Sequence, residues 1–319
     1  MSSSTSSFRT ELRVLAVVLF VLLAAEVAVR FGERSLSRDV QHIQQIPAIS
    51  QSLAASKDQK ILFLGNSLVR TGVDPQIIEQ ELKAKGVAPV HIERVFPDST
   101  SLPDWYRVFK HYFVNQSSLP QVLVLCFSDI ALQDTSGIDP TRLGRYYSSA
   151  TEVPEIFHQD IHDFESRSEF VLAATSYAFA NRMRVRTRAL DLIVPAYRTS
   201  AQRINDDMKQ KAPAVTRPKT YERLARLLEL ARQEGVQVVV VAMPQPVQYS
   251  LDPEITRVVD QAGMTLLDCR SVNGINAQSF LDEMHLADAG AIVYSHFLGK
   301  VLAEPIARAR TRENLLSAK

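Results

Sequence analysis

The sequence predicts a three-layer α/β/α fold: a parallel, flavodoxin-like sheet with helices on both faces, preceded by an N-terminal transmembrane helix. Three observations carry this. Short apolar runs recur along the chain, each followed by a helix-period stretch, and that alternation is the signature of a parallel sheet flanked by helices. The runs are apolar at nearly every position, as strands buried on both faces are. A long apolar stretch near the amino terminus stands outside the alternation.

The chain has 319 residues, 46% of them hydrophobic, with a formal net charge of +1. That length gives one sizeable domain with an appendage. Balanced charge and the lack of a long basic stripe give no footing for nucleic-acid binding.

Taken in order, residues 1–7 are a serine-rich tail. Arg9 and Arg13 precede the apolar run Val14–Ala25, and apolar character continues past Glu26 to Phe31. About 20 such residues cross a bilayer, and positive charge ahead of them favours a cytoplasmic amino terminus. A cleaved signal is the rival, with small residues at Ala24-Ala25 and Val27-Ala28. Glu26 and Arg30, one turn apart, read as the interfacial end of an anchor. The expectation is a single-pass protein of the cell inner membrane, its main domain facing the periplasm or exterior. Residues 32–59 are polar and read as a linker or a first amphipathic helix, with Asp39 and His42 on a solvated face.

The main domain is expected over 60–309. Lys60–Leu64 is the first strand, ending in Gly65-Asn66-Ser67. Asp74-Pro75 open a helix closed by Gly86. Val90–Phe96 is the second strand. Leu102–Val114 is a helix whose Trp105, Tyr106, Phe109, Tyr112 and Phe113 read as core, although Trp105 near its start would also suit a sugar-binding cleft. Gln121–Phe127 is the third strand.

Residues 133–217 break the rhythm and read as an insertion over the sheet edge, where substrate loops belong. It contains a helical stretch over Ser166–Ile193. His158 and His162, four apart, read as a solvated face rather than a metal pair; no metal or cofactor is expected. Arg182, Arg184, Arg186 and Arg188 read as a basic solvated face, able to meet lipid headgroups or an anionic polymer. Regular structure resumes with a helix over Tyr221–Gln233, a β-branched strand over Val236–Met243 and a helix over Pro253–Ala262. A short strand over Thr265–Asp268 and a last helix over Ala287–Ala309, broken near Pro305, follow. Residues 310–319 are a tail. Cys126 and Cys269 end two strands and read as buried free thiols.

Chemistry enters at two ends of this domain. Ser67 follows the first strand, so the turn lifts it to the carboxyl edge of the sheet, where open α/β sheets bind ligands. Alone, Gly-Asn-Ser is ordinary turn chemistry. Near the other end, Asp282 and His285 precede the last helix and can reach the same edge. Three apart in a helical turn, they would share a face, the carboxylate holding one imidazole nitrogen and turning the other towards a serine.

Gly65-Asn66-Ser67 after the first strand and Asp282-x-x-His285 before the last helix resemble the two end blocks of the SGNH (GDSL-type) hydrolase superfamily. The resemblance implies Ser67 as nucleophile, His285 as base and Asp282 as its orienting acid. Asn66 stands where many members have Asp. The middle blocks depart from the family. No Gly follows the second strand, which ends Arg94-Val-Phe-Pro-Asp-Ser-Thr-Ser101, and Ser128 stands where the family has Asn. Oxyanion donors are therefore expected from the backbone of Ser67 or Leu68, from the loop around Ser99 and from the Ser128 hydroxyl. The resemblance implies a membrane-anchored serine esterase or O-acyltransferase acting on an extracytoplasmic glycan or acylated envelope molecule, with a membrane-bound O-acyltransferase as a partner. The alternative is a non-catalytic accessory subunit of an envelope polysaccharide modification complex, keeping the fold only.

Overall fold

The computed structural model describes residues 4–134, 137–194, 196–197, 200 and 219–317. Residues 1–3 of the serine-rich tail, 201–217 of the insertion and 318–319 of the C-terminal tail lie outside them. The described residues form a five-stranded sheet of β1 (Gln59–Leu64), β2 (Val90–Val95), β3 (Val122–Phe127), β4 (Gln237–Ala242) and β5 (Thr265–Asp268). The strand order is β2-β1-β3-β4-β5 and every pairing is parallel. All six residues of β3 are buried, as the uninterrupted apolar run requires of a central strand covered on both faces.

The chain leaves β1 for β2 at the edge, then crosses back past β1 to β3. That reversal opens a crevice beyond the carboxyl ends of β1 and β3, the place where open sheets bind ligands. Ser67 follows β1 and Ser128 follows β3, so both stand at this crevice.

Chain contacts divide the protein into two units, one drawn from Met1–Gln41, Pro140–Tyr146 and Ala150–Val215, the other holding the sheet. In the first lie α1 (Ser4–Leu36) and, from the insertion, α7 (Pro140–Tyr146), α8 (Val153–Gln159), α9 (Phe164–Thr175), α10 (Tyr177–Ala180) and α11 (Arg182–Ile193). Of these, α10 and α11 pack directly on α1. Three carboxylates organise the unit. Glu26 accepts from Ser176 Oγ at 2.7 Å and from the backbone N–H groups of Tyr177 and Ala178 at 2.7 and 3.0 Å. Buried Glu33 accepts from Tyr146 Oη at 2.9 Å and Asn181 Nδ2 at 2.7 Å. Asp39 pairs with Arg142 and Arg184 at 3.1 and 3.3 Å.

Several expectations change here. The stretch Ser166–Ile193 is not one helix, because Ser176 accepts from Phe179 N and caps a new one. Of the alternating arginines, Arg182 pairs with Glu169, Arg184 with Asp39, and Arg188 donates to Ser35 O. Only part of that basic run faces solvent. Asp39 is consumed in ion pairs. In the second unit His42 is buried, its ring 3.7 Å from that of Phe96 and its Nε2 accepting from Phe96 N at 2.9 Å. Neither belongs to a solvated face. The expected linker over 32–59 is helical, with α2 (Arg38–Ile43) and α3 (Ile46–Ala55) burying Ile43, Ile46 and Leu53. The crossovers of the sheet contain α4 (Ser67–Gly72), α5 (Pro75–Ala84), α6 (Leu102–Phe109), α12 (Glu222–Gln233) and α13 (Pro253–Gln261). The last helix, α14 (Asp288–Ser317), runs on through Pro305 and into the expected tail.

Candidate active site

The site is assembled at the carboxyl edge by three turns. The first joins β1 to α4. Gly65 sits where a Cβ would lie 2.6 Å from Val69 Cγ2 and 2.8 Å from the carbonyl oxygen of Cys126. Only glycine lets β1 end that close to β3. Asn66 then takes an extended backbone and caps α4, accepting from Leu68 N at 3.0 Å. Its amide also donates to Thr100 O at 3.2 Å. An aspartate could make the first bond but not the second. Asn66 therefore fastens the Ser67 turn to the loop after β2, a role the sequence motif does not announce.

That second turn, Pro97–Ser101, is pinned from within. Thr100 Oγ1 donates to Pro97 O at 2.6 Å and accepts from Trp105 Nε1 at 2.9 Å. Trp105 is fully buried, so it braces the loop and lines no sugar cleft. Ser99 adopts φ +56°, a left-handed conformation that favours glycine. Holding a serine there costs of order 1 kcal/mol. The third turn carries Asp282 and His285. They are not on a helix. Asp282 Oδ1 accepts from the N–H groups of Met284 and His285, both at 2.8 Å, and this local turn folds the three-residue spacing back on itself.

These turns bring the three predicted residues together. His285 Nε2 lies 2.8 Å from Ser67 Oγ, and His285 Nδ1 lies 2.8 and 3.0 Å from the two Asp282 oxygens. With Nδ1–H given to the carboxylate, Nε2 carries the lone pair and faces the serine hydroxyl. Partial burial pushes the Asp282 carboxyl up. The bonds it accepts from the His285 ring and from the backbone of His285 and Met284 outweigh that and hold it below the usual carboxylate range. Asp282 thus stays ionised to orient the ring, although its side chain is 56% exposed.

The expected oxyanion donors divide. The Leu68 N–H is committed to the Asn66 cap, so it is not the free donor expected of it. The N–H groups of Ser67 and Ser99 meet no acceptor among the described residues. Ser128 is buried, and its Oγ accepts from Gln245 Nε2 at 3.0 Å, leaving the hydroxyl hydrogen to donate. Leu64 and Leu125 are paired across β1 and β3, and Ser67 and Ser128 each stand three residues further on. Neighbouring strands lie about 4.8 Å apart, so both serines follow adjacent strand ends at the carboxyl edge. Gln245, in the turn after β4, gives no sequence signal beyond its setting between two prolines.

Rival chemistry is poorly supplied. Cys126 and Cys269 are free and buried. Burial pushes both thiols up, Cys269 to about 12, so neither supplies a thiolate near neutral pH. No cluster of three or more metal-ligating side chains occurs among the described residues, and His158 and His162 do not form one.

No protein-family model matches the chain, and no curated protein does. Among solved structures, the chain is similar to Axe2, an acetylxylan esterase from Geobacillus stearothermophilus, at 10% identity and a TM-score of 0.38, covering 80% of this chain and 95% of that one. It is also similar to the acetyl xylan esterase AlAXEase, at 12% identity and a TM-score of 0.36, covering 78% and 98%. Overlap of that size says nothing of activity.

Proposed function

We propose that this chain, whose fold is of the SGNH hydrolase type, is a membrane-anchored serine esterase or O-acyltransferase acting on an acylated envelope glycan or ester. The observation that carries the reading is the continuous path Ser67 Oγ–His285–Asp282, with both links at 2.8 Å. Ser67 Oγ attacks the acyl carbonyl while its proton passes to His285 Nε2. Collapse of the tetrahedral intermediate expels the alcohol, which takes that proton, and leaves an acyl-enzyme. His285 then draws a proton from the acceptor hydroxyl as it attacks the acyl carbon, and gives it to Ser67 Oγ as the acyl–Ser67 bond breaks. Water as acceptor makes an esterase; a sugar hydroxyl makes an acyltransferase.

With p-nitrophenyl acetate, the detergent-solubilised full chain should release p-nitrophenolate and, on rapid acid quenching, carry one acetyl mass on the peptide holding Ser67. Absence of both would favour the accessory subunit.

The anchor is supported by the stretch Thr10–Leu36, long and apolar enough to cross a membrane, and by the use the folded chain makes of its far end. Glu26 and Glu33 are hydrogen-bonded by the insertion. Cleavage after Ala25 or Ala28 would sever α1 around these contacts. Protein extracted from membranes should keep the segment before Glu26 in its intact mass, and a mature chain beginning near Val27 would overturn the anchor. By the positive-inside rule the catalytic domain then faces the periplasm or exterior.

A further inference from the structure

The insertion meets α1 at two levels: beyond its apolar stretch, at Glu33 and Ser35, and inside it, at Glu26. Phe31, five residues past Glu26, is 85% exposed, and Val27 is 52% exposed. At 1.5 Å per residue, Glu26 lies about 7 to 8 Å nearer the middle of the helix than Phe31. The groups that bond Glu26 are Ser176 Oγ and the N–H groups of Tyr177 and Ala178, and they share its depth. The junction of α9 and α10 is therefore level with the apolar part of α1.

Two further observations fit that depth. Irregular backbone within a bilayer must have its polar groups satisfied by protein. At this corner Ser176 N donates to Leu172 O, Phe179 N donates to Ser176 Oγ, Ala180 N donates to Ser176 O, and Glu26 takes the N–H groups of Tyr177 and Ala178. The carboxylate, costly in hydrocarbon when alone, is met by three donors. Meanwhile the last turn of α9 presents Val171 and Leu172, 48% and 46% exposed, one helical turn before Ser176. In water that adjacent pair is left exposed; at the depth of the apolar part of α1 it would meet acyl chains.

We propose that the end of α9 dips into the acyl chains of the leaflet on the catalytic side. The insertion is then a second, non-spanning membrane element clamped to the anchor through Glu26, and the occupant of its outer face is lipid. This rests on the reading of α1 as a retained anchor. It would hold the insertion at a fixed depth, independent of any headgroup charge.

The test uses the full chain in nanodiscs of phosphatidylethanolamine and phosphatidylglycerol, which leave both faces open to solvent. The native cysteines are buried, so Leu172→Cys, Phe20→Cys and Glu234→Cys can each carry one environment-sensitive maleimide dye. Phe20 reports the span and Glu234 reports water. The expected result is that the dye at 172 behaves like that at 20, quenched by doxyl-labelled acyl chains and shielded severalfold from iodide relative to 234. A dye at 20 in lipid with a dye at 172 as open to iodide as that at 234 would overturn the proposal and leave the anchor standing. Dyes at 20 and 172 both in water would overturn both.

Discussion

Ser67→Ala should reduce ester turnover by about 10⁴-fold or more and abolish the covalent acyl species. Members of a triad act as a unit, so losing the nucleophile alone forfeits most of what the three provide together. At 1.36 kcal/mol per decade that is about 5.5 kcal/mol of barrier. The change is small structurally. The hydroxyl is only part-buried, and its removal breaks a single side-chain hydrogen bond, the one to His285 Nε2. The unfolding midpoint should therefore move little. Stopped-flow p-nitrophenolate release and intact-mass analysis on the same preparation check this. Wild type and variant turning over equally, on every acyl donor tried, would make the fold a scaffold and the hydrogen-bonded path an incidental one.

Ser128→Ala should lower kcat by roughly a hundredfold with KM nearly unchanged. One donor aimed at a developing oxyanion is worth about 2.7 to 4 kcal/mol. A contact that strengthens only in the transition state appears in kcat, not in ground-state affinity. Ser128 is suited to this because Gln245 occupies its acceptor side and leaves the O–H to point elsewhere. Gln245→Ala should move kcat in the same direction by less, since it removes the orientation and keeps the donor. Steady-state kinetics on the two variants separate the roles. A Ser128→Ala enzyme with wild-type kcat would leave the N–H groups of Ser67 and Ser99 as the donors.

The fold is legible because a parallel sheet covered on both faces writes itself as uninterrupted apolar runs. All five strands lie within a residue of their predicted ends. Ser67, Asp282 and His285 are legible through their order along the chain and a spacing short enough to close locally. Even so, the spacing works through an Asx-type turn rather than the helical face it suggests. What stays hidden depends on partners far apart in sequence. Asn66 to Thr100 spans 34 residues, Ser128 to Gln245 spans 117, and Glu26 to Ser176 spans 150. No local pattern encodes such pairs, because each side chain is unremarkable in its own neighbourhood. The Leu68 amide departs from expectation for a related reason: whether an N–H is free depends on the rotamer of the capping residue before it. The left-handed backbone of Ser99 is hidden in the same way, since a serine does not announce a positive φ.

The 150 residues between Glu26 and Ser176 also set a timetable. A ribosome adding roughly 5 to 20 residues per second needs about 8 to 30 s to cover that distance. In a chain anchored by α1, the helix enters the bilayer first and waits for its clamp. Through that interval the Glu26 carboxylate lacks the three donors it accepts from in the folded chain. The clamp thus closes not when the helix inserts but when the junction of α9 and α10 emerges and reaches it.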